Sequence, residues 1–163
     1  MNKAVFLDRD GVINKEIGYV FRVEDFVITD DIIPSLKKLQ QAGFIFVVIT
    51  NQSGIAKELY THEDVARVHA HMLSILNENG IRIEEIYYCC HHPDVEPCIC
   101  RKPDSGMVEK AIARFNIDVS KSFFIGDKER DIQGAEKAGI KGILIEADSP
   151  INGIAEKIIN GLQ

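Results

Sequence analysis

Asp8 and Asp10 form an acidic pair directly after a short apolar segment near the start of the chain. Two carboxylates this close repel each other unless a cation or a shared proton relieves the repulsion. In an extended chain, residues i and i+2 point the same way, so both carboxylates should face one spot while Arg9 points away. Gly11 then lets the backbone turn sharply. The pair therefore predicts a Mg²⁺ site, or a nucleophile beside a general acid/base.

A second set of residues with metal-binding chemistry lies between positions 89 and 100, which contain all four cysteines of the chain. In a cytosolic chain, clustered cysteines indicate metal ligands before they indicate disulfides. Four Cys and His ligands close a tetrahedral Zn²⁺ shell, so such a zinc would be structural. Cys89 with His91, or Cys90 with His92, can form the first Cys-x-His pair. Buried thiols or a disulfide are the alternatives without metal.

Three further polar motifs follow predicted strands. Thr50-Asn51-Gln52-Ser53-Gly54 offers hydroxyl and amide groups before a helix, whose N-terminus favours a phosphate. Arg101-Lys102-Pro103 supplies two cations, and the stretch from Gly126 to Asp131 supplies further acids. In open α/β sheets, active sites lie at the edge where the carboxyl ends of the strands meet. Each motif alone is a weak indicator, but together they predict a site for a phosphorylated ligand.

Strands and helices alternate along the chain, which predicts a doubly wound, mainly parallel α/β sheet with right-handed crossovers. Continuous apolar runs indicate buried strands, and apolar residues at helical spacing indicate helices. We expect strands at 4–7, 44–49, 83–89, 122–125 and 142–145, and helices at 32–41, 62–79, 105–116, 131–138 and 151–159. The segment 13–29 is too long for a simple loop, so we expect a small flap or hairpin there.

Length and composition are those of one globular domain, with 163 residues, 45% of them hydrophobic and 27% charged. The net charge of −6 argues against a general nucleic-acid binder, whose surface is basic. No apolar run approaches the ~20 residues that cross a bilayer, and the first residues do not form a signal peptide. We expect a monomeric, cytoplasmic domain over residues 1–163 that binds neither nucleic acid nor membrane.

The motifs, taken in order, resemble those of the haloacid dehalogenase (HAD) superfamily of phosphatases. The resemblance covers nearly the whole chain and rests on Asp8-Arg9-Asp10-Gly11-Val12, Thr50-Asn51-Gln52-Ser53-Gly54, Lys102 before a helix, and Gly126-Asp127-x-x-x-Asp131. The additional motifs Cys-x-His and Cys-x-Cys-Arg-Lys-Pro resemble those of the branch of this superfamily that hydrolyses heptose bisphosphate and histidinol phosphate. The resemblance implies a HAD-like fold without a large cap domain, catalytic Mg²⁺ and structural Zn²⁺.

The resemblance also implies a role for each matching residue. Asp8 would be the nucleophile, ionised at neutral pH because a carboxyl of this type has a pKa of roughly 4. Asp10 would be the general acid/base. Thr50 and Lys102 would hold the transferring phosphoryl group, and Asp131 would orient metal-bound water or cap a helix. The implied ligands of Mg²⁺ are Asp8, Asp10 (through its backbone carbonyl) and Asp127, and those of Zn²⁺ are Cys89, His91, Cys98 and Cys100.

The implied substrate-binding residues surround the acidic pair. They are Glu16, Ile17, Gly18, Tyr19, Asn51, Gln52, Ser53, Arg101 and Lys128. Arg101 could pair with a second, non-reacting phosphate, because a guanidinium binds phosphate through two parallel hydrogen bonds. We expect Arg130 to lie on the surface. We expect surface or amphipathic positions for the three histidines of the second helix, His62, His69 and His71.

The resulting prediction is a Mg²⁺-dependent phosphatase that removes the C7 phosphate of heptose 1,7-bisphosphate, a step toward lipopolysaccharide or another heptose-containing glycan. Histidinol phosphate or another small sugar phosphate is the alternative substrate. A zinc-containing module that binds phosphorylated ligands without catalysis is the alternative from another class. A nucleic-acid 3′-phosphatase is disfavoured by the acidic balance of the chain.

Overall fold

Strands and helices alternate through residues 1–161, the part of the chain that the computed structural model describes. The last two residues of the predicted domain lie outside this part. The strands are β1 (Lys3–Leu7), β2 (Phe44–Asn51), β3 (Ile83–Cys89), β4 (Phe123–Gly126) and β5 (Lys141–Leu144). The helices are α1 (Ile32–Gln41), α2 (His62–Glu78), α3 (Gly106–Phe115), α4 (Glu129–Lys137) and α5 (Asn152–Ile159), with 3₁₀ turns at Val23–Asp25 and Val119–Lys121.

The five strands form one parallel sheet in the order β3-β2-β1-β4-β5. Apolar side chains cover both faces of the central strand β1: one cluster packs under α1, α2 and α5, and the other under α3 and α4. This arrangement confirms the predicted α/β class. No helix in residues 1–161 is long and apolar enough to cross a membrane.

The observed elements differ from the predicted ones by a few residues at their ends. The clearest difference is α4, which begins at Glu129 and not at Asp131. Its first turn contains Asp131, and the carboxylate of Asp131 accepts a hydrogen bond of 3.0 Å from the backbone N–H of Lys128. This side-chain cap satisfies a free N–H at the helix start, and the helix begins two residues earlier than its apolar pattern indicates.

The segment 13–29 forms a loop with a narrow neck. Asn14 and Ile28 pair as an antiparallel bridge, and the Lys15 N–H donates to the Val27 carbonyl at 2.8 Å. The Asp148 side chain, from the loop after β5, accepts a hydrogen bond of 2.8 Å from the Glu16 N–H. These contacts hold the tip of the loop above the carboxyl edge of β1.

Candidate active site

Loops that follow β1, β2, β3 and β4 meet at the carboxyl edge of the sheet and line one cleft. The lining residues are Asp8, Asp10, Glu16, Gly18, Tyr19, Val20, Asn51, Gln52, Ser53, Tyr60, Lys102, Asp127, Lys128 and Arg130. The structure thus brings together residues of the acidic pair and of the three further polar motifs. Ile17, Thr50, Arg101 and Asp131 are predicted site residues that do not line this cleft.

Lys102 lies at the bottom of the cleft, with 1% of its surface exposed. Its ammonium is 2.9 Å from Asp8 Oδ1 and 2.7 Å from Asp131 Oδ1, and it donates to the Ile49 carbonyl at 2.9 Å. Burial alone lowers the pKa of Lys102, but the charges of Asp8 and Asp131 outweigh burial and raise the pKa above its ordinary value. Lys102 is therefore a fixed positive charge between two buried carboxyl groups.

Asp8 does not keep the ordinary pKa that the sequence suggested. Burial raises the pKa of Asp8 to about 8, against the opposing effect of Lys102, and Asp131 and Asp10 raise it further. The expectation that Asp8 is ionised without special tuning is therefore wrong for the protein alone. Because burial penalises the charged form, further positive charge beside Asp8 favours its carboxylate.

Three carboxyl groups at this edge fit a divalent cation. Asp8, Asp127 and Asp131 each place one oxygen within 4.8 Å of the others. The Asp127 side chain is fully buried, and its Oδ1 atom has no hydrogen-bond partner among residues 1–161. Gly11, at φ +84°, leaves space for this carboxylate, since a Cβ there would lie 2.6 Å from Asp127 Oδ2. A buried oxygen without a donor, beside two further carboxylates, suits Mg²⁺, which prefers oxygen ligands.

Arg9 does not point away from the acidic pair. The chain turns after β1, with the Arg9 carbonyl accepting a hydrogen bond from the Ile13 N–H, so the extended alternation ends before Asp10. The Arg9 side chain is fully buried and lies 2.8 Å from Asp10 Oδ1. It also contacts His69 of α2, which is 8% exposed, so the predicted surface or amphipathic position of His69 is wrong.

Residues at the end of β2 and in the loop that follows it hold Lys102 and Asp10 in place. Asn51 exchanges two hydrogen bonds with the backbone of Lys102, at 3.1 and 3.2 Å. The Gln52 amide donates to Asp10 Oδ2 at 3.1 Å and to the buried Thr50 hydroxyl at 3.0 Å. The Tyr60 hydroxyl donates to Gln52 Oε1 at 2.7 Å. Asn51 and Gln52 line the cleft and also position Lys102 and Asp10.

Tyr60 is a site residue that sequence reasoning missed. A Cβ at Gly54 would lie 2.0 Å from the Tyr60 ring, so only glycine lets this ring reach the cleft. Gly54 was the one sequence signal for this close approach, but the sequence does not show that the group packed against it is the Tyr60 ring.

Charged and aromatic side chains form the mouth of the cleft. The Tyr19 hydroxyl accepts a hydrogen bond of 3.2 Å from Lys57, and the Lys128 ammonium is 2.9 Å from Asp127 Oδ2. Arg130 is exposed, as expected, yet it also lines the cleft. Arg101 lies in the loop between β3 and α3 and donates to the His91 carbonyl at 3.4 Å. It lines a separate cavity beside that loop.

A cluster of three thiols and one imidazole lies where β3 runs into the loop that carries Lys102. Its members are Cys89, His91, Cys98 and Cys100, whose ligand atoms all lie within 4.8 Å of one another. Cys89 Sγ is 3.0 Å from Cys100 Sγ and 3.4 Å from His91 Nδ1. Three Cys and one His are a ligand set of structural zinc sites, so this cluster fits Zn²⁺. Cys90 and His92 lie outside the cluster.

Comparison with known proteins identifies the class. A family model described as polynucleotide kinase 3 phosphatase matches residues 4–141. The chain is similar to the solved structure of D,D-heptose 1,7-bisphosphate phosphatase from B. bronchiseptica, complexed with magnesium and phosphate, with a TM-score of 0.88 and 28% identity over 97% of this chain and 98% of that one. The chain is thus a HAD-superfamily phosphatase by fold and by family model.

Two curated relatives, both from Photorhabdus laumondii, show to which phosphatase family within this class the chain belongs. One is a D-glycero-alpha-D-manno-heptose-1,7-bisphosphate 7-phosphatase, 39% identical over 96% of this chain and 90% of its own. The other is the corresponding beta enzyme, 41% identical over 96% of this chain and 87% of its own. The chain belongs to the family of D-glycero-D-manno-heptose-1,7-bisphosphate 7-phosphatases, which confirms the resemblance stated from the sequence.

Proposed function

We propose that this protein is a Mg²⁺-dependent phosphatase that removes the C7 phosphate of D-glycero-D-manno-heptose 1,7-bisphosphate through an aspartyl-phosphate on Asp8. The observation that carries the proposal is the buried contact of 2.9 Å between Asp8 and Lys102, beside the buried carboxylate of Asp127. This set offers a nucleophile and a fixed positive charge in one place, as phosphoryl transfer requires. The names of the relatives support the choice of substrate.

In the first step, a carboxylate oxygen of Asp8 attacks phosphorus, and the bond from phosphorus to the C7 oxygen breaks. Asp10 gives its proton to the departing oxygen, so the sugar leaves as an alcohol. In the second step, Asp10 takes a proton from water, and the resulting hydroxide attacks the aspartyl-phosphate. Inorganic phosphate leaves and the Asp8 carboxylate is restored.

Lys102 holds the transferring phosphoryl group with its charge. The Thr50 hydroxyl, which accepts a hydrogen bond from Gln52, would help to hold the same group. Within residues 1–161, the two hydrogen-bond donors to Asp8 are the Lys102 ammonium and the Arg9 N–H, and both reach Oδ1, which leaves Oδ2 for the attack. Asp8, Asp127 and the Asp10 backbone carbonyl would hold Mg²⁺, which when bound neutralises charge on the phosphoryl oxygens.

The mouth of the cleft suits a substrate with a second phosphate. Lys128 and Arg130 line it, and Arg130 has no ion-pair partner among residues 1–161. Guanidinium groups bind phosphate with two directed hydrogen bonds. Glu16, Gly18 and Tyr19 also line the cleft and would contact the sugar. The alpha and beta relatives are about equally similar to this chain, so neither anomer is proposed.

The wider setting belongs to the same proposal. The single sheet with one helical layer on each face supports one domain. This domain would act as a monomer in the cytoplasm. The four-ligand cluster would hold a structural Zn²⁺ that fixes the loop of Lys102. The product, a heptose monophosphate, would feed the synthesis of lipopolysaccharide or another glycan.

A substrate panel tests the proposal. Phosphate release is measured from both anomers of the heptose bisphosphate, from histidinol phosphate and from a 3′-phosphorylated oligonucleotide, each with and without Mg²⁺. The family model described as polynucleotide kinase 3 phosphatase is the reason for the last arm. The proposal predicts that kcat/KM with Mg²⁺ is highest for a heptose bisphosphate. Faster release from histidinol phosphate or from the oligonucleotide overturns the proposed substrate.

A further inference from the structure

Arg9 is a fully buried arginine with partners on three separate segments. Its guanidinium donates to Asp10 Oδ1 at 2.8 and 3.3 Å, to the Val20 carbonyl at 2.8 Å, and contacts His69 Nε2 at 3.3 Å. Asp10 belongs to the turn after β1, Val20 to the loop over the cleft, and His69 to α2. A buried guanidinium is costly unless it is paired and hydrogen-bonded, and these contacts meet that requirement.

His69 acts as an acceptor in this network. A guanidinium can only donate, so Nε2 of His69 must carry a lone pair toward Arg9. Burial lowers the pKa of His69 to about 4, and the charge of Arg9 lowers it further. The neutral imidazole is therefore compatible with the buried cation beside it. The ring of His69 also packs edge-on against Tyr88 of β3, which fixes its position.

The donors around Asp10 are unequally divided between its two oxygens. Oδ1 accepts both hydrogen bonds from Arg9 and one of 3.0 Å from Asn14. Oδ2 accepts one hydrogen bond from the described residues, at 3.1 Å from the Gln52 amide. A carboxyl oxygen with three donors has little room for a proton of its own. The proton that a general acid must carry therefore belongs on Oδ2, and Asp10 lines the cleft.

We propose that Arg9 is a positioning residue that holds Asp10 Oδ1, and thereby turns Oδ2 toward the leaving oxygen of the substrate. His69 and the Val20 carbonyl fix Arg9 in turn. The inference rests on the proposed function, in which Asp10 is the general acid/base. When the bond from phosphorus to oxygen breaks, its electron pair stays on the sugar oxygen, and the proton from Asp10 Oδ2 moves to that oxygen.

A comparison of two leaving groups tests this role. The sugar alkoxide needs a proton as it leaves, whereas the phenolate of p-nitrophenyl phosphate does not. Correct placement of a general acid contributes about 10²–10⁴-fold to rate. For Arg9→Met we expect kcat/KM, which reports only the steps up to departure of the leaving group, to fall about 10²-fold on heptose bisphosphate and only a few-fold on p-nitrophenyl phosphate.

His69→Leu keeps the test decisive where Arg9→Met fails to fold, because it removes only the acceptor. We expect the same selective loss at a smaller size, about 10-fold, from His69→Leu and no loss from His71→Leu, a matched change on the same helix. Equal losses on both substrates, or no loss from a folded His69→Leu protein, overturn the inference. Absence of wild-type activity on heptose bisphosphate, with activity on p-nitrophenyl phosphate, contradicts the proposed function instead.

Discussion

Replacing Lys102 with methionine removes the buried ammonium that contacts Asp8. The Lys102 ammonium lies 2.9 Å from Asp8, 2.7 Å from Asp131 and 2.9 Å from the Ile49 carbonyl, and the side chain is 1% exposed. Methionine has a similar shape but no charge. The variant therefore leaves two buried carboxyl groups without their counter-charge. Removing one partner of a buried ion pair is strongly destabilising, because the remaining charge is buried without compensation.

The expected loss in the free energy of unfolding is about 3–5 kcal/mol at neutral pH. A protein of this size has a total stability of about 5–15 kcal/mol, so the variant should still fold. The loss depends on pH. Because the folded-state pKa of Asp8 lies above its unfolded value, Asp8 favours folding below the unfolded pKa, and this stability is lost as pH rises through about 8. The deficit of Lys102→Met should therefore be smaller near about pH 5 than near about pH 8.

Urea unfolding without added Mg²⁺ and without chelator measures this loss. With a slope of about 2 kcal/mol/M, the midpoint should fall by about 1.5–2.5 M. Lys137→Met is the matched control, since Lys137 is half-exposed and 3.6 Å from the exposed Asp104, a pair that contributes about 0–1 kcal/mol. Adding Asp131→Asn to Lys102→Met should recover part of the stability, because it removes one of the two carboxylates.

Equal shifts of the urea midpoint in Lys102→Met and Lys137→Met would contradict this role of Lys102. A stability deficit of Lys102→Met that grows as pH falls would also contradict it, since that sign would mean that Asp8 and Asp131 do not depend on Lys102 for their charge.

Three further predictions concern the metals and the mouth of the cleft. Cys98→Ser should lower the bound zinc, measured by elemental analysis, and reduce activity about 10–100-fold. Cys90→Ser should change neither the zinc content nor the activity, and equal effects of the two variants would show that the cluster is wrongly assigned. Because burial raises the pKa of Asp8, the Kd for Mg²⁺ measured by calorimetry should fall by up to about tenfold per pH unit as pH rises toward about 8, and a Kd independent of pH would argue against Asp8 as a ligand. Arg130→Gln should raise KM for the bisphosphate about tenfold with kcat unchanged, while Arg67→Gln should leave KM unchanged; an equal rise for a monophosphate would place Arg130 elsewhere.

The parallel sheet and the residues at its edge could be predicted because each follows a local pattern. Apolar runs mark buried strands; Asp8 and Asp127 lie just beyond the ends of two strands, and Thr50 is the last residue but one of β2. The strand order then brings these ends together, whatever the details of the loops. The zinc ligands could be predicted as a group for a similar reason, since thiols so close in sequence cannot lie far apart.

Contacts between distant segments could not be predicted. Arg9 points inward because the chain turns after Leu7, and its acceptor His69 comes from a helix sixty positions away. The pKa of Asp8 depends on burial and on the Asp131 and Lys102 side chains around it, none of which the sequence pattern measures. Local spacing indicates which face of an element is apolar, but it does not indicate which polar groups meet in the space between elements.

Trapping of the covalent intermediate tests the central claim most directly. Wild-type protein is mixed with heptose 1,7-bisphosphate and Mg²⁺, quenched within one turnover, and treated with borohydride, which reduces an aspartyl-phosphate to homoserine. Peptide mass spectrometry should find homoserine at position 8 in the wild-type protein and in no peptide of Asp8→Asn. Turnover of the bisphosphate with an unmodified Asp8, or modification at another carboxylate, would contradict the assignment of Asp8 as the nucleophile.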